Sequence, residues 1–534
     1  MFLYLGPTNS AKTHDAVQKL AAAGSGAFAS PLRLLAREVF DKLCATLGPE
    51  RVGLLTGEER INAGAPVVCC TTECTPDAKG GVLVLDEAHW LTDLERGHAW
   101  TRVLKMRGYS EMNVIAAPEA EALLLRAFAP LSVEVVRKRR LGELRFVLPA
   151  YDFSAKMGED ALPAAFVAFS RRSVLALAKA LKRLGHEPAV VYGAMPPELR
   201  KSQIARLVSG ECDVICTTDV IGHGVNLPLE SIVVCETRKF DGVDVRDLYV
   251  WEAAQICGRA GRGSKTGRVF AGSFGWFDAV DEELLGRAVD AANGVTPTDL
   301  EAEFATVLPT LGDLKRGGTN GGLAASYDRW CRERESERES ESDALPGEEW
   351  VRPRPSRTLR DRLAWIDEKR VPEGDIGFAW RVAALHVGEA NWTRIAQPLL
   401  FGSKKLFAGL RPAASSAQDL EKYIAWLNDL RAVELAVPGV VDTDLEVLYQ
   451  IATGDLGPLI AAEVSAPPRR CVDCDETLDH PFHARCDQCH RAVMRGHHYH
   501  HYDDDVDWDE DYEDHEWDED DDDNQGDEWE EDTL

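Results

Sequence analysis

Along the first 135 residues, hydrophobicity comes in short bursts. Phe2–Leu5, Gly26–Ser30, 67–70, Val82–Leu85 and 113–116 are runs of four or five mostly apolar or small residues. Bounded by polar turns, runs of this length predict buried strands. Between them, stretches such as 13–22 place apolar residues at helical spacing and predict helices. Strands alternating with helices predict a parallel sheet covered on both faces. The rhythm starts again near Leu144, where 164–169, 187–192, 213–216, 232–235 and 268–271 predict a second sheet of the same kind. The basic run Arg137-Lys138-Arg139-Arg140 falls between the two copies and reads as a solvated linker that can also touch phosphate.

From about residue 291 the pattern turns helical. Residues 331–357 are charged and bear prolines, which predicts an exposed linker or insertion. Residues 358–465 hold helix-like runs, with Trp365, Trp380, Trp392 and Trp426 expected in their core. The fold class is therefore α/β. Two tandem parallel-sheet domains at 1–135 and 141–290 precede a mainly helical region at 291–465. A small metal-binding module at 466–496 and a His-rich, acidic disordered tail at 497–534 complete the chain.

Length and charge refine this picture. A chain of 534 residues has room for three or four domains. The longest apolar runs, such as 81–85, are far too short to span a bilayer, so no membrane partner is expected. Because the first strand begins at residue 2, no leader is expected before the fold, and the expected location is cytoplasmic. Nine cysteines (44, 69, 70, 74, 212, 216, 235, 257 and 331) are scattered and read as reduced packing residues rather than a disulfide framework. Residues 503–534 hold 21 carboxylates and no Lys or Arg, so the net charge of −30 falls to −9 over residues 1–502. That body is compatible with a nucleic-acid groove, although no overall basic footprint announces one.

Candidate chemistry is concentrated at strand ends. Gly6-Pro7-Thr8-Asn9-Ser10-Ala11-Lys12-Thr13 joins the first strand to a helix, in the arrangement of a phosphate-binding loop. Backbone N–H groups there cradle phosphate oxygens, Lys12 reaches the β- and γ-phosphates, and the Thr13 hydroxyl holds Mg²⁺. Ala11 stands where glycine is usual, at a cost of about 1–2 kcal/mol if the position needs positive φ. The strand 82–85 ends in Asp86-Glu87-Ala88-His89. Asp86 would hold Mg²⁺ and Glu87 would orient or deprotonate an attacking water. In Gln255-Ile-Cys-Gly-Arg-Ala-Gly-Arg262, Arg259 and Arg262 lie three residues apart and suit stabilisation of a leaving phosphate from a facing domain, with Gln255 beside them.

Two Cys-x-x-Cys pairs, Cys471/Cys474 and Cys486/Cys489, have the spacing of a four-thiolate zinc knuckle or ribbon. His480, His483 and His490 are substitute ligands, and a redox pair is the alternative. In the tail, Trp508, Tyr512, Trp517 and Trp529 are spaced among the carboxylates. A solubilising role is one reading; imitation of a nucleic-acid strand is the other.

The motif order GPTNSAKT, SPLRLLA (30–36), TGEER (56–60), CTTE (70–73), DEAH (86–89), AFSRR (168–172), YGAMPPELR (192–200), TTDVIGHGVNLPL (217–229) and QICGRAGR (255–262) resembles superfamily 2 RNA helicases. It is most similar to the DExH-type helicases of the mitochondrial RNA degradosome and their bacterial relatives. The resemblance covers roughly residues 1–290. It implies two RecA-like domains with ATP in the cleft and single-stranded nucleic acid across the top. It places Pro31, Arg33, Ser170, Arg171 and Thr218 in segments that touch the strand backbone. Gly222, Gly224 and Asn226 fall in the segment that couples ATP to strand movement, with Gly224 near the nucleotide. Ala116-Ala-Pro118 stands at the family's third motif without its hydroxyls, which weakens the expectation of coupling. No adenine-reading segment fits before Gly6, so loose nucleotide choice is expected. The implied partners are RNA, single-stranded or with an overhang, and a nuclease or other RNA-processing protein; the expected cofactors are ATP and Mg²⁺, with Zn²⁺ added by the cysteine pairs, where the carboxyl-terminal part departs from the family.

The combined reading is an ATP-dependent RNA helicase or translocase. The alternatives are a DNA helicase, which uses the same ATPase and backbone grip, and a degenerate ATPase kept as a nucleic-acid-binding scaffold.

Overall fold

The computed structural model describes residues 1–470 apart from 78–79, 94–95, 130, 223–226, 241–243, 262, 275–278, 296–303, 317–321, 340–350, 354–355, 371–374, 386, 403–404, 410–415 and 467–469. Arg262, Gly224, Asn226, the four cysteines Cys471, Cys474, Cys486 and Cys489, and the acidic tail lie outside the described residues.

Eight strands form the first sheet: β1 (Phe2–Leu5), β2 (Gly26–Ser30), β3 (Val52–Leu55), β4 (Arg60–Ile61), β5 (Val67–Thr71), β6 (Val82–Leu85), β7 (Glu111–Ala116) and β8 (Glu134–Arg137). Their order is β4-β3-β5-β2-β6-β7-β1-β8, and only the β3–β4 pair is antiparallel. Helices α1 (Lys12–Ala23), α2 (Arg33–Leu47), α3 (Gly97–Leu104) and α4 (Glu121–Phe128) cover the two faces. Successive side chains of a strand point to opposite faces, so a sheet covered twice needs unbroken apolar runs. Leu3 and Leu5 enter one core with Trp100 and Phe128, while Tyr4 enters the other with Leu20 and Phe40.

The second sheet contains β9 (Leu144–Tyr151), β10 (Ala164–Val167), β11 (Pro188–Val191), β12 (Val214–Thr217), β13 (Ser231–Val234) and, beyond a hairpin of β14 (Arg238–Phe240) and β15 (Val245–Asp247), β16 (Gly267–Gly272). Its order is β11-β12-β10-β13-β16-β9, parallel throughout. Helices α5 (Arg171–Arg183), α6 (Pro197–Val208), α7 (Val250–Cys257) and α8 (Glu282–Asn293) accompany it. These are the two parallel-sheet, RecA-like domains, and a helical region follows them.

That region opens with β17 (Ala305–Val307), α9 (Leu311–Arg316), α10 (Gly322–Glu339) and β18 (Val351–Pro353). It continues with α11 (Arg357–Glu368), α12 (Ile376–Ala383), α13 (Glu389–Phe401), α14 (Ala417–Ala436) and α15 (Leu445–Ser465). The expected linker at 331–357 is corrected here. Helix α10 runs into it as far as Glu339, and β18 pairs in parallel with β17. The physical reason lies upstream of the charged repeat, where Tyr327, Trp330 and Cys331 are buried and anchor the helix.

The helical region touches both sheet domains. Ala305 and Val351 join the domain 1 core beside Trp100. Thr306 Oγ1 donates to the Asp93 carbonyl at 3.1 Å. Gly97 leaves room for this contact, since a Cβ there would lie 2.4 Å from Thr306 Oγ1. Helices α11–α15 instead build a core with domain 2, in which Leu363, Trp392, Trp426 and Leu456 meet Phe166, Val190 and Val214. Trp365 and Trp380 pack partly buried against it.

Candidate active site between the two sheets

The loop after β1 turns through two left-handed residues, Asn9 at φ 63° and Ala11 at φ 60°. Position 11 therefore has the conformation that favours glycine, and alanine bears about 1–2 kcal/mol of strain there. Ser10 Oγ closes the turn by donating to the Pro7 carbonyl at 2.7 Å. The buried Lys12 ammonium donates to the carbonyls of Gly6 at 2.6 Å and Pro7 at 3.2 Å. Its side chain thus lies along the concave side of the loop. Thr13, one residue into α1, aims its hydroxyl at Asp86, with Oγ1 to Oδ2 at 3.3 Å.

Asp86 follows β6 directly and is almost fully buried. Its backbone is fixed on both sides: its N–H donates to the Ala29 carbonyl at 2.8 Å, and Trp100 Nε1 donates to its carbonyl at 3.1 Å. Burial, reinforced by the neighbouring Glu87 charge, raises the Asp86 carboxyl to about 7, with Lys12 opposing the shift. Glu87 has φ 48°. A non-glycine residue in the left-handed region is held there by its surroundings, and such strain gathers at working sites. Glu87 Oε2 lies 3.5 Å from His89 Nδ1. On the other side of that ring, Gln255 Nε2 is 2.8 Å from His89 Nε2. With the amide donating to Nε2, the imidazole proton sits on Nδ1, facing Glu87.

Gln255 comes from α7 of domain 2, so this chain of contacts crosses the cleft. Helix α7 ends at Cys257, and Arg259 follows one residue after its C-cap, Gly258. The Arg259 guanidinium is half-buried and donates to the Gly222 carbonyl. Burial lowers its pKa, while the charges of Glu87 and Asp86 pull it back up. Pro7, Thr8, Lys12 and Glu87 from one side, and Trp251 and Gln255 from the other, line a single crevice.

The residues expected along a strand backbone all follow the C-terminal ends of strands: Pro31 and Arg33 after β2, Ser170 and Arg171 after β10, and Thr218 after β12. The Pro31 carbonyl accepts from Arg96 Nη2 at 2.7 Å. Ser170 is the N-cap of α5, accepting from the Ser173 N–H at 2.9 Å. The Thr218 N–H donates to the Val191 carbonyl at 3.3 Å. Both arginines meet protein carboxylates, Arg33 pairing with Glu58 and Arg171 with Glu421 and Glu463.

The basic run 137–140 is a solvated linker only in part: Arg137 and Arg139 are exposed, whereas Arg140 is not, which corrects the expectation for that residue. Arg137 belongs to β8, and Lys138 pairs with Asp15 at 2.6 Å. Arg140 turns inward and donates to carbonyls of both domains. Four consecutive basic residues carry no signal of which one turns in. His89 also went unassigned; its place in the tetrapeptide 86–89 was the available signal.

With this geometry in hand, similarity to known proteins is decisive for the core. Residues 1–136 match the DEXQ-box helicase domain of Suv3, and residues 158–264 match the helicase conserved C-terminal domain. The Suv3-type match is thus confined to the first sheet domain, and the second matches a helicase C-terminal domain of general type. An Arabidopsis thaliana protein, the mitochondrial DExH-box ATP-dependent RNA helicase DExH18, is 36% identical over 265 residues, 48% of this chain and 34% of its own length. The Homo sapiens mitochondrial ATP-dependent RNA helicase SUPV3L1 is 32% identical over 338 residues, 59% of this chain and 42% of its own. The chain thus spans less than half the length of these two relatives. A solved Escherichia coli DEAH/RHA helicase, HrpB, aligns over 87% of this chain and 58% of its own at 16% identity, with a TM-score of 0.49. Both of these relatives are named as mitochondrial, and this overturns the expectation of a cytoplasmic location. That expectation rested on the first strand lying at residue 2, and the position at which a sequence starts does not report a compartment.

Proposed function

We propose that this chain is an ATP-dependent RNA helicase or translocase that hydrolyses ATP between its two sheet domains. One observation carries the reading: Lys12 and Glu87 of domain 1 and Gln255 of domain 2 line one crevice, while Arg259 of domain 2 lies within reach of the charges of Asp86 and Glu87. Lys12 would exchange its loop carbonyls for phosphate oxygens, with the Gly6–Ala11 backbone around them. The donor set at Thr13 and Asp86 fits Mg²⁺, because a hydroxyl and a buried carboxylate are hard oxygen ligands. A carboxyl raised by burial is also one that a divalent cation would ionise again. Mg²⁺ held there supplies positive charge to the phosphates. Glu87 accepts a proton from the attacking water as its oxygen bonds to the γ-phosphorus and the bond to the β–γ bridging oxygen breaks. Arg259 stabilises the charge that develops. His89, between Glu87 and Gln255, links the base to domain 2.

RNA would run across the C-terminal ends of the two sheets, past Pro31, Arg33, Ser170, Arg171 and Thr218. The names of the relatives favour RNA over DNA. The test is the ATPase rate with and without RNA, alongside strand displacement on matched RNA and DNA duplexes. RNA-stimulated hydrolysis is expected, abolished by Lys12→Ala and by Glu87→Gln, the latter with nucleotide binding retained. Parent-like hydrolysis by Glu87→Gln would remove that residue's role. Displacement of DNA alone would make this a DNA helicase, and no hydrolysis at all would leave a binding scaffold.

We further infer a zinc module at 466–496 held by Cys471, Cys474, Cys486 and Cys489. The support is their paired Cys-x-x-Cys spacing.

A further inference from the structure

Arg140, in the segment between the two sheets, makes contacts that domain connection does not require. Its Nη1 donates to the Thr8 carbonyl in the phosphate-binding loop at 3.0 Å and to the Gly258 carbonyl at 2.6 Å. Its Nη2 donates to the carbonyls of Ala260 and, at 3.3 Å, Gly261. The carbonyls of Gly258 and Ala260 lie immediately before and after Arg259. One guanidinium therefore grips the backbone on both sides of Arg259 and holds the phosphate-binding loop as well.

Asn9 repeats the connection from the other side. From its left-handed position, its Nδ2 donates to the carbonyls of Gly261 and Gly263, each at 2.9 Å, and its Oδ1 accepts from the Gly263 N–H at 3.2 Å. The Asn9 carbonyl accepts from the Leu141 N–H at 3.0 Å, which ties in the connecting segment itself. The approach is close enough to exclude a side chain: a Cβ on Gly258 would lie 2.8 Å from Thr8 Cβ.

The electrostatics set a cost against these contacts. Burial and the like charge of Arg259 lower Arg140 to about 10. A guanidinium drawn out of water persists where fixed carbonyl dipoles compensate it. A solvated arginine would serve equally well as a simple connector.

We propose that Arg140, together with Asn9, is a positioning residue for hydrolysis, joining the backbone that carries Arg259 to the phosphate-binding loop so that cleft closure and arginine placement are one event. This rests on the reading of the crevice as an ATPase site. It gives RNA a route to hydrolysis: a strand gripped by both domains fixes their separation, and Arg140 converts that separation into the position of Arg259.

The test is Arg140→Ala in the full chain. RNA-stimulated kcat should fall about tenfold or more, as expected when a catalytic group is misplaced by about 1 Å. KM for ATP and RNA affinity should stay within about threefold, because Lys12 and the strand-end residues remain. A role limited to holding the domains together would instead weaken RNA binding along with kcat. Arg259→Ala and the double variant complete the cycle. If Arg140 acts through Arg259, the double variant hydrolyses ATP no more slowly than Arg259→Ala alone. Parent-like kcat in Arg140→Ala, or losses that multiply in the double variant, would overturn the proposal. Should Arg140→Ala fail to fold, Arg140→Lys keeps the charge but cannot bracket Arg259; an intermediate kcat supports the proposal, and full activity overturns it. A parent protein that hydrolyses no ATP would sink the functional reading itself, whereas an active parent with an indifferent Arg140 sinks only this inference.

Discussion

Arg171 and Glu421, 250 residues apart, share a 3.0 Å hydrogen bond that ties the first turn of α5 to α14. The same carboxylate accepts from the Tyr192 hydroxyl, and Arg171 reaches Glu463 of α15 at 3.0 Å. Glu421 is only 6% exposed. Without Glu421, Arg171 keeps Glu463 as a partner and is a quarter exposed, so the loss falls below the roughly 3–5 kcal/mol of a fully stranded buried charge. Glu421→Ala is therefore expected to lower stability by about 2 kcal/mol in urea unfolding, from the lost charge-assisted hydrogen bonds. Arg171→Ala/Glu421→Ala should lose less than the sum of the two single changes. Additive losses would show that the two groups act independently.

Ala11→Gly should stabilise the protein. At φ 60° alanine is strained, and glycine relieves about 1 kcal/mol. A rise in melting temperature is expected, with ATP affinity equal to or tighter than the parent's. A clear loss of affinity would mean that the loop is shaped around the methyl group.

Asp86 makes stability depend on pH. Its carboxyl is raised from 3.8 to about 7 by burial first and Glu87 second. Between those values the folded protein holds a proton that the unfolded chain has released. Its contribution therefore favours folding below about pH 4, weakens as pH rises to about 7, and then levels off. Asp86→Asn removes this dependence and should be more stable than the parent at pH 8 by a few kcal/mol, roughly, while losing hydrolysis. Chemical denaturation of both proteins at pH 5 and pH 8 measures the difference, and parallel pH profiles would refute it.

The zinc site is checked by metal analysis. One zinc per chain is expected, lost in Cys471→Ser/Cys474→Ser, with RNA-independent ATPase retained because the module lies outside the two sheet domains. A purified full-length chain without zinc would end this reading.

What could be read from the chain, and what could not, divides along range of interaction. β1, β2 and β6 have the expected bounds because each is an apolar run that ends where a loop must begin, as Leu5 does at Gly6-Pro7. Lys12, Asp86, Glu87, Gln255 and Arg259 stood out because their spacing within short motifs is local. β8 escaped notice: Glu134–Arg137 is an edge strand with charged ends, and only its parallel pairing with β1 makes it a strand. Helix α10 was hidden by its charged second half. Arg33 finds Glu58 25 residues on, and Arg171 finds Glu421 and Glu463 hundreds of residues on; no local pattern announces either contact. Arg140 is the sharpest case, since its neighbour Arg139 is chemically identical and exposed.

The seat of Thr306 against Leu91, Asp93 and Gly97 also bears on how this protein can be divided. A gene fragment ending near residue 290 would encode both matched domains, yet it would uncover Trp100 where Ala305 and Val351 sit and Phe166 where the C-terminal helices sit. The smallest piece fit to travel as a cassette, whether through recombination or in an engineered fusion, ends beyond Ser465.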